Sequence, residues 1–166
     1  MRQAEVQSLF LKRFGELYPQ LKFRGLSRFP SRTRGPYGFA LRVAFGRAEI
    51  PLDLLCVILT DGHPQDVRRF LRRIKASETG EGAVPVLIAP YFSEEARALC
   101  REAGVGYFDL SGNAGLDTNR IFLDIQGREN AHPQKKELRS PFKGKAERVI
   151  RRLLLEPERR WKMREL

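Results

Sequence analysis

The sequence is short of the residues that most directly announce a chemistry. It has two cysteines, two histidines and one tryptophan in 166 residues. Cys56 lies in a strand-like run and Cys100 on a helix-like face, so both thiols read as buried packing groups rather than disulfide partners or metal ligands. His63 and His132 each precede a proline in loop-like sequence and have no partners for a nucleophilic triad, and neither is assigned a role. Long hydrophobic runs are missing too. The longest apolar stretch, Leu54 to Leu59, falls far short of the roughly 20 residues of a spanning helix, and the start "MRQAEVQSLFLKRFGELY" is amphipathic, unlike a signal peptide. The expectation is a soluble, cytoplasmic protein with no membrane partner. No internal repeat occurs, and no Lys or Ser/Thr stands at P-loop spacing.

What the sequence has in excess is arginine. Thirty-one basic residues face twenty acidic ones, a formal net charge of +11. The excess is uneven: net +7 over residues 1–50, −3 over 51–125 and +7 over 126–166. A near-neutral middle between basic ends suggests a packed core whose flanks meet a polyanion, and nucleic acid is the commonest such partner. An arginine-rich solvated surface would leave the same composition.

Apolar spacing divides the chain. Val6, Leu9, Phe10, Phe14 and Leu17 predict a helix over 3–18, ended by Pro19. "RGLSRFPSRTRGPYG" reads as a strand edge and a loop. From Tyr37 the period becomes two, with Phe39, Leu41, Val43 and Phe45 on one face, and "IPLDLLCVIL" reads as a more deeply buried strand paired with it in a hairpin. A helix follows with Val67, Phe70, Leu71 and Ile74 on one side and Arg68, Arg69, Arg72 and Arg73 opposite. Next come the strand "VPVLIAP", a helix capped by Ser93 and ended near Gly104, the strand "VGYFDL" and a last strand "RIFLDI". This order predicts an α/β domain over residues 1–125, a mixed sheet flanked by helices. Residues 126–143 are polar, basic and aperiodic, as in an interdomain linker. In residues 144–166, Ala146, Val149, Ile150, Leu153 and Leu154 form one helical stripe before Pro157.

The stretch "PVLIAPYFSEEARALCREAGVGYFDLSGNAGL", residues 85–116, resembles two related groups. Its strand, "SEEA" helix and "GVGYFDL" strand are similar to the last part of the restriction-endonuclease-like core of Mrr-type nucleases. Its ending, "YFDLSGNAGL", is closer to the AbiEi-type antitoxins of type IV toxin-antitoxin systems, which are bacterial transcriptional regulators. In those proteins a linker leads to a winged helix, and "SPFKGKAERVIRRLLLEPERRWKMREL" resembles its first helix, a short strand through Trp161 and the opening of a second helix, an incomplete copy of that domain. The resemblance covers residues 37–166. It implies a restriction-endonuclease-like α/β fold, a DNA-binding transcriptional regulator, double-stranded DNA as partner, a cognate toxin and a homodimer as further partners, and no cofactor.

A nuclease of this fold needs an acid on one strand and an acid-x-Lys pair on the next, so that carboxylates hold a divalent metal while the lysine faces developing charge. In "PLDLLCVIL" the nearest alignment puts Val57 and Leu59 at the acid and lysine positions, and Asp53 alone survives as a vestigial site. The expectation is therefore a nuclease-like scaffold that is not an enzyme. A metal-dependent nuclease and an RNA-binding module stand as the alternatives. "DLSGNAG" either cradles phosphate through the amides around Ser111, Gly112 and Asn113 or is a turn stabilised by Asn113. The phosphate contacts to DNA are assigned to Lys135, Lys136, Arg139, Lys143, Lys145, Arg148, Arg151, Arg152, Arg159, Arg160, Lys162 and Arg164, with the arginines of residues 68–73 a weaker candidate.

Overall fold

A computed structural model of the chain describes residues 1–28, 38–73, 83–133, 145–156, 159 and 161. It forms two compact units, residues 1–133 and 134–166. The first begins with helix α1 (Gln3–Leu17), followed by strands β1 (Leu21–Arg28), β2 (Gly38–Phe45) and β3 (Ile50–Ile58). Helix α2 (Pro64–Leu71), strand β4 (Ala83–Ala89), helix α3 (Glu94–Glu102) and strand β5 (Gly106–Asp109) come next, then β6 (Ala114–Asp117) and β7 (Phe122–Ile125). The second unit contributes helix α4 (Lys145–Leu155).

The seven strands make one mixed sheet in sequence order. β1, β2 and β3 are an antiparallel meander, β3, β4 and β5 run parallel through the α2 and α3 crossovers, and β6 and β7 return antiparallel. Strand alternation sorts side chains onto two faces. Leu41, Val43, Leu52, Leu54, Cys56, Ile58, Val86, Ile88 and Phe108 pack with Val6, Phe10, Phe14 and Tyr18 of the α1 segment. There Phe10 and Phe14 meet edge to face at 5.4 Å and Tyr18 and Phe108 at 4.8 Å between ring centres, a favourable geometry for aromatic pairs. The opposite face joins Leu87, Ala89 and Tyr107 to Val67, Phe92, Ala96 and Cys100 around α2 and α3. The two cysteines are thus free, buried and on opposite faces, and burial pushes the Cys100 thiol up to about 12.

The predicted mixed sheet flanked by helices is present. Ser93 caps α3, its hydroxyl accepting from the Ala96 amide at 3.3 Å. Gly104 follows that helix with φ +65°, the left-handed conformation suited to glycine at a helix end. The sequence reading did not find β6, because "AGLD" is too short and too glycine-rich to show a period. Ile74, placed by the pattern on the apolar stripe of the second helix, lies outside the described residues.

Parallel strands force close approach at their C-terminal ends. Gly62, after β3, bridges to Phe92, after β4, and a Cβ at Gly62 would stand 2.0 Å from the backbone oxygen of Tyr91. Backbone cannot swing aside as a side chain can, so Gly62→Ala should cost about 1–3 kcal/mol of stability in urea unfolding, in the range of overpacked cores. A variant as stable as the parent would show that the loops do not need this contact.

Candidate functional site

Side chains 53, 55, 57 and 59 of the β3 segment share the sheet face that carries α2 and α3. Val57 and Leu59 are packed against the apolar cluster there. Asp53 lies beyond that cluster, opposite Arg42 in the β2–β3 register. The guanidinium holds it in a two-pronged bond, Nε to Oδ1 at 2.7 Å and Nη2 to Oδ2 at 3.1 Å. Hydrogen bonding to Arg42 keeps the Asp53 carboxyl below the usual aspartate range. Arg42 is exposed and Asp53 about half-exposed, so solvent screens the pair and it contributes little to stability. Among the described residues no three histidine, cysteine or acidic side chains come close enough to hold a metal ion.

A more elaborate polar arrangement sits at the end of β5, within the motif singled out by resemblance. Asp109 is fully buried. Its Oδ1 accepts from the amides of Ser111 and Asn113, each at 2.9 Å, and its Oδ2 from Asn113 Nδ2 at 2.8 Å and the Phe92 amide at 3.3 Å. Tyr18, just past α1, places its hydroxyl under the same turn, accepting from the Asp109 amide at 3.0 Å and reaching the carbonyls of Asp109 and Asn113. Burial raises the Asp109 pKa above the ordinary value, against the pull of the hydrogen bonds from Asn113, Phe92 and Ser111. Gly112 completes the turn at φ +98°, a conformation strained for a residue with a Cβ.

This geometry bears on the phosphate-cradle alternative, because the Ser111 and Asn113 amides that a phosphate would use already donate to Asp109. It also bears on the linker. The Asn113 side-chain amide pairs with the backbone of Arg128, donating to its carbonyl at 3.1 Å and accepting from its N–H at 2.9 Å, and Ser111 Oγ accepts from the Ala131 amide at 3.0 Å. Residues 126–133 therefore belong to the first unit, and the division falls between Pro133 and Gln134.

Of the residues assigned to phosphate contacts, Arg148, Arg151 and Arg152 lie exposed on α4, and Lys145 begins that helix. Arg159 is exposed, pairs with Glu156 at 3.0 Å and stacks over Trp161 at 4.2 Å, while Arg152 approaches the same ring at 5.2 Å. Lys135, Lys136, Arg139, Lys143, Arg160, Lys162 and Arg164 lie outside the described residues. In the apolar stripe, Val149 and Ile150 are half-buried, Leu153 and Leu154 are exposed, and the side chain of Ala146 lies outside the described residues; Leu155, next to the stripe, is exposed as well. The arginine face of α2 is exposed as well, and two of its members have acidic partners, Arg68 with Glu95 at 2.7 Å and Arg69 with Asp66 at 3.9 Å.

Two outcomes follow from the Asp109 network. Asn113→Ala strips buried partners from Asp109 and Arg128, so it should cost about 2–3 kcal/mol and make Arg128 an early tryptic site. Unchanged cleavage at Arg128 would show that the amide pair does not hold the segment. A carboxyl whose pKa is raised on folding favours the native state most below the unfolded value of about 4, and that contribution fades as pH rises through the raised value. The stability of the parent relative to Asp109→Asn should therefore decline from acid toward neutral pH in urea titrations; a gap widening in the parent's favour would reverse the sign.

Comparison of the sequence with protein-family models and with curated proteins gives no match. Among solved structures the chain is similar to the apo form of EndoMS, with 15% identity and a TM-score of 0.41 over 66% of this chain and 46% of that one. It is also similar to a repair endonuclease from Pyrococcus abyssi, with 17% identity and a TM-score of 0.42 over 66% and 46%. A third likeness is to an EndoMS complex with double-stranded DNA, with 15% identity and a TM-score of 0.37 over 63% and 42%. The chain spans less than half the length of these structures.

Proposed function

We propose that the protein binds double-stranded DNA through its C-terminal unit and acts as a transcriptional regulator of the AbiEi-like antitoxin kind, with the α/β unit as a scaffold rather than a catalyst. The observation that carries this reading is the outward face of α4. Arg148, Arg151 and Arg152 stand exposed there, in a segment whose net charge over residues 126–166 is +7. Arginines in such an array grip phosphates and release counterions, which supplies affinity without reading sequence. Leu153, Leu154 and Leu155 are exposed on the same helix, and a helix of this length is marginal without an apolar partner. They offer a surface for a second copy of the chain or for a cognate toxin.

The scaffold role is supported by Asp53, whose carboxylate is occupied by Arg42, and by Val57 and Leu59, which serve the core at the positions where an acid and a lysine would serve a metal-dependent nuclease. The nuclease alternative differs in outcome: with Mg²⁺ or Mn²⁺ it would cleave DNA, and Asp53→Ala would stop it. An RNA-binding module would prefer A-form duplex or single strands.

Fluorescence anisotropy on duplexes across a salt series is expected to show binding that weakens with a slope of about −0.9 in log K against log salt per phosphate neutralised. Arg148→Ala should weaken all sequences alike and reduce the slope by about one contact. Mg²⁺-dependent cleavage lost in Asp53→Ala, or stronger binding to RNA than to DNA, would overturn the proposal.

A further inference from the structure

β1 and β7 are the outermost strands of the sheet. β7 has four residues and β1 eight, and among the described residues no strand pairs with the outer side of β1. The register of β1 against β2 shifts between Phe23 and Gly25, so Phe23 stands opposite Val43 and Leu26 opposite Leu41. Val43 and Leu41 belong to the sheet face that packs with α1. A strand of regular period would send residues 23 and 26 to opposite faces, and the shift returns both to one. Val43 and Leu41 are fully buried there, whereas Phe23 is 52% and Leu26 49% exposed. Two large apolar side chains thus stand on a free strand.

Cations and irregularities commonly guard such an edge against a second strand. Here the charge is answered from within the chain. Glu49, in the turn between β2 and β3, accepts from Lys22 Nζ at 2.8 Å and from Arg24 Nη2. The hydrogen bond from Lys22 and the charge of Arg24 hold the Glu49 carboxyl below the ordinary glutamate range, so it stays ionised between them. Both cations therefore have a partner, and the edge does not call for an acidic strand.

The β1 sequence LKFRGLSR is complementary to its own reverse. With a two-fold axis between Arg24 and Gly25, Phe23 lies opposite Leu26 of the second copy and Leu26 opposite its Phe23. Lys22 then falls opposite Ser27, Arg24 opposite Gly25 and Arg28 opposite Leu21, so no cation faces a cation directly. We propose that β1 is a self-association edge, along which two copies of the chain pair antiparallel and join their seven-stranded sheets into one. The contact uses the same patch on both copies, as two-fold pairing requires. Main-chain hydrogen bonds supply affinity, and the two Phe23–Leu26 pairs fix the register. This edge lies in the first unit and goes beyond DNA binding by α4; the two readings fail separately, since one is read on Leu26 and the other on Arg148.

The test is sedimentation equilibrium of the full chain over a concentration series, for the parent, Leu26→Lys and Leu154→Lys. The parent should show a monomer–dimer equilibrium. Leu26→Lys should raise its dissociation constant about tenfold or more, because each dimer carries the substitution twice, and Leu154→Lys should leave it unchanged. A parent that stays monomeric up to about 100 μM, or a dimer kept in Leu26→Lys but lost in Leu154→Lys, overturns the proposal. Single cysteines then read the register, and the native Cys56 and Cys100 are buried. Position 24 lies about 6 Å from its symmetry mate, within reach of a disulfide, and position 22 about 15 Å from its own. Under mild oxidation Arg24→Cys should give a covalent dimer and Lys22→Cys should not; equal coupling at both positions, or at neither, counts against this edge.

Discussion

The carboxylate of Asp109 is fully buried and is met by N–H groups rather than by a cation, and the end of the parallel sheet is arranged around that requirement. The donors to the carboxylate come from two stretches of chain, and Tyr18 of a third bonds to the backbone beside it. The Phe92 amide brings in the loop between β4 and α3, the amides of Ser111 and Asn113 fix the turn into β6, and Tyr18 attaches the end of α1 beneath it. Asn113 then passes the order outward to Arg128. A buried polar network is costly when half satisfied and specifying when complete, because alternative registers of β5 and β6 leave N–H groups without partners. The aromatic cluster of Phe10, Phe14, Tyr18 and Phe108 supplies the apolar part of the same junction, with Tyr18 belonging to both.

How much of this was legible depended on the range of the interaction. Periodicity disclosed α1 through Val6, Phe10 and Phe14, and β2 and β3 through their alternating apolar residues, since a core face imposes its period on the sequence. β6 was not legible, because four residues that include a glycine covered by Tyr107 carry no period. The Asp109 network was half legible. The "DLSGN" motif pointed to the correct turn, but its dependence on Tyr18 spans 91 residues of sequence and has no local signature. Arg97, buried on α3, was missed for a related reason: four of the chain's arginines face solvent on the neighbouring helix, and nothing in sequence separates a solvated arginine from one turned inward.

Asp53 illustrates the limit of reading a catalytic site from an aligned motif. A lone acid on a strand is compatible with a metal ligand or with a surface ion pair, and the choice rests on the residue across the ladder. Arg42 is that residue, eleven positions earlier and directly opposite. With Val57 and Leu59 turned into the α2 and α3 cluster, this face of β3 is used for packing and for a surface ion pair. The basic excess of the chain is divided between residues 1–50 and 126–166, and on α4 it is exposed.

The proposed function has nucleic acid meet the C-terminal unit and not the sheet around Asp53. Hydrogen exchange of the chain with and without duplex DNA, resolved to peptides, tests this most directly. Slowed exchange is expected across residues 145–161, with the β2–β3 hairpin around Arg42 and Asp53 unchanged. Protection centred on that hairpin, with α4 unaffected, would contradict the account.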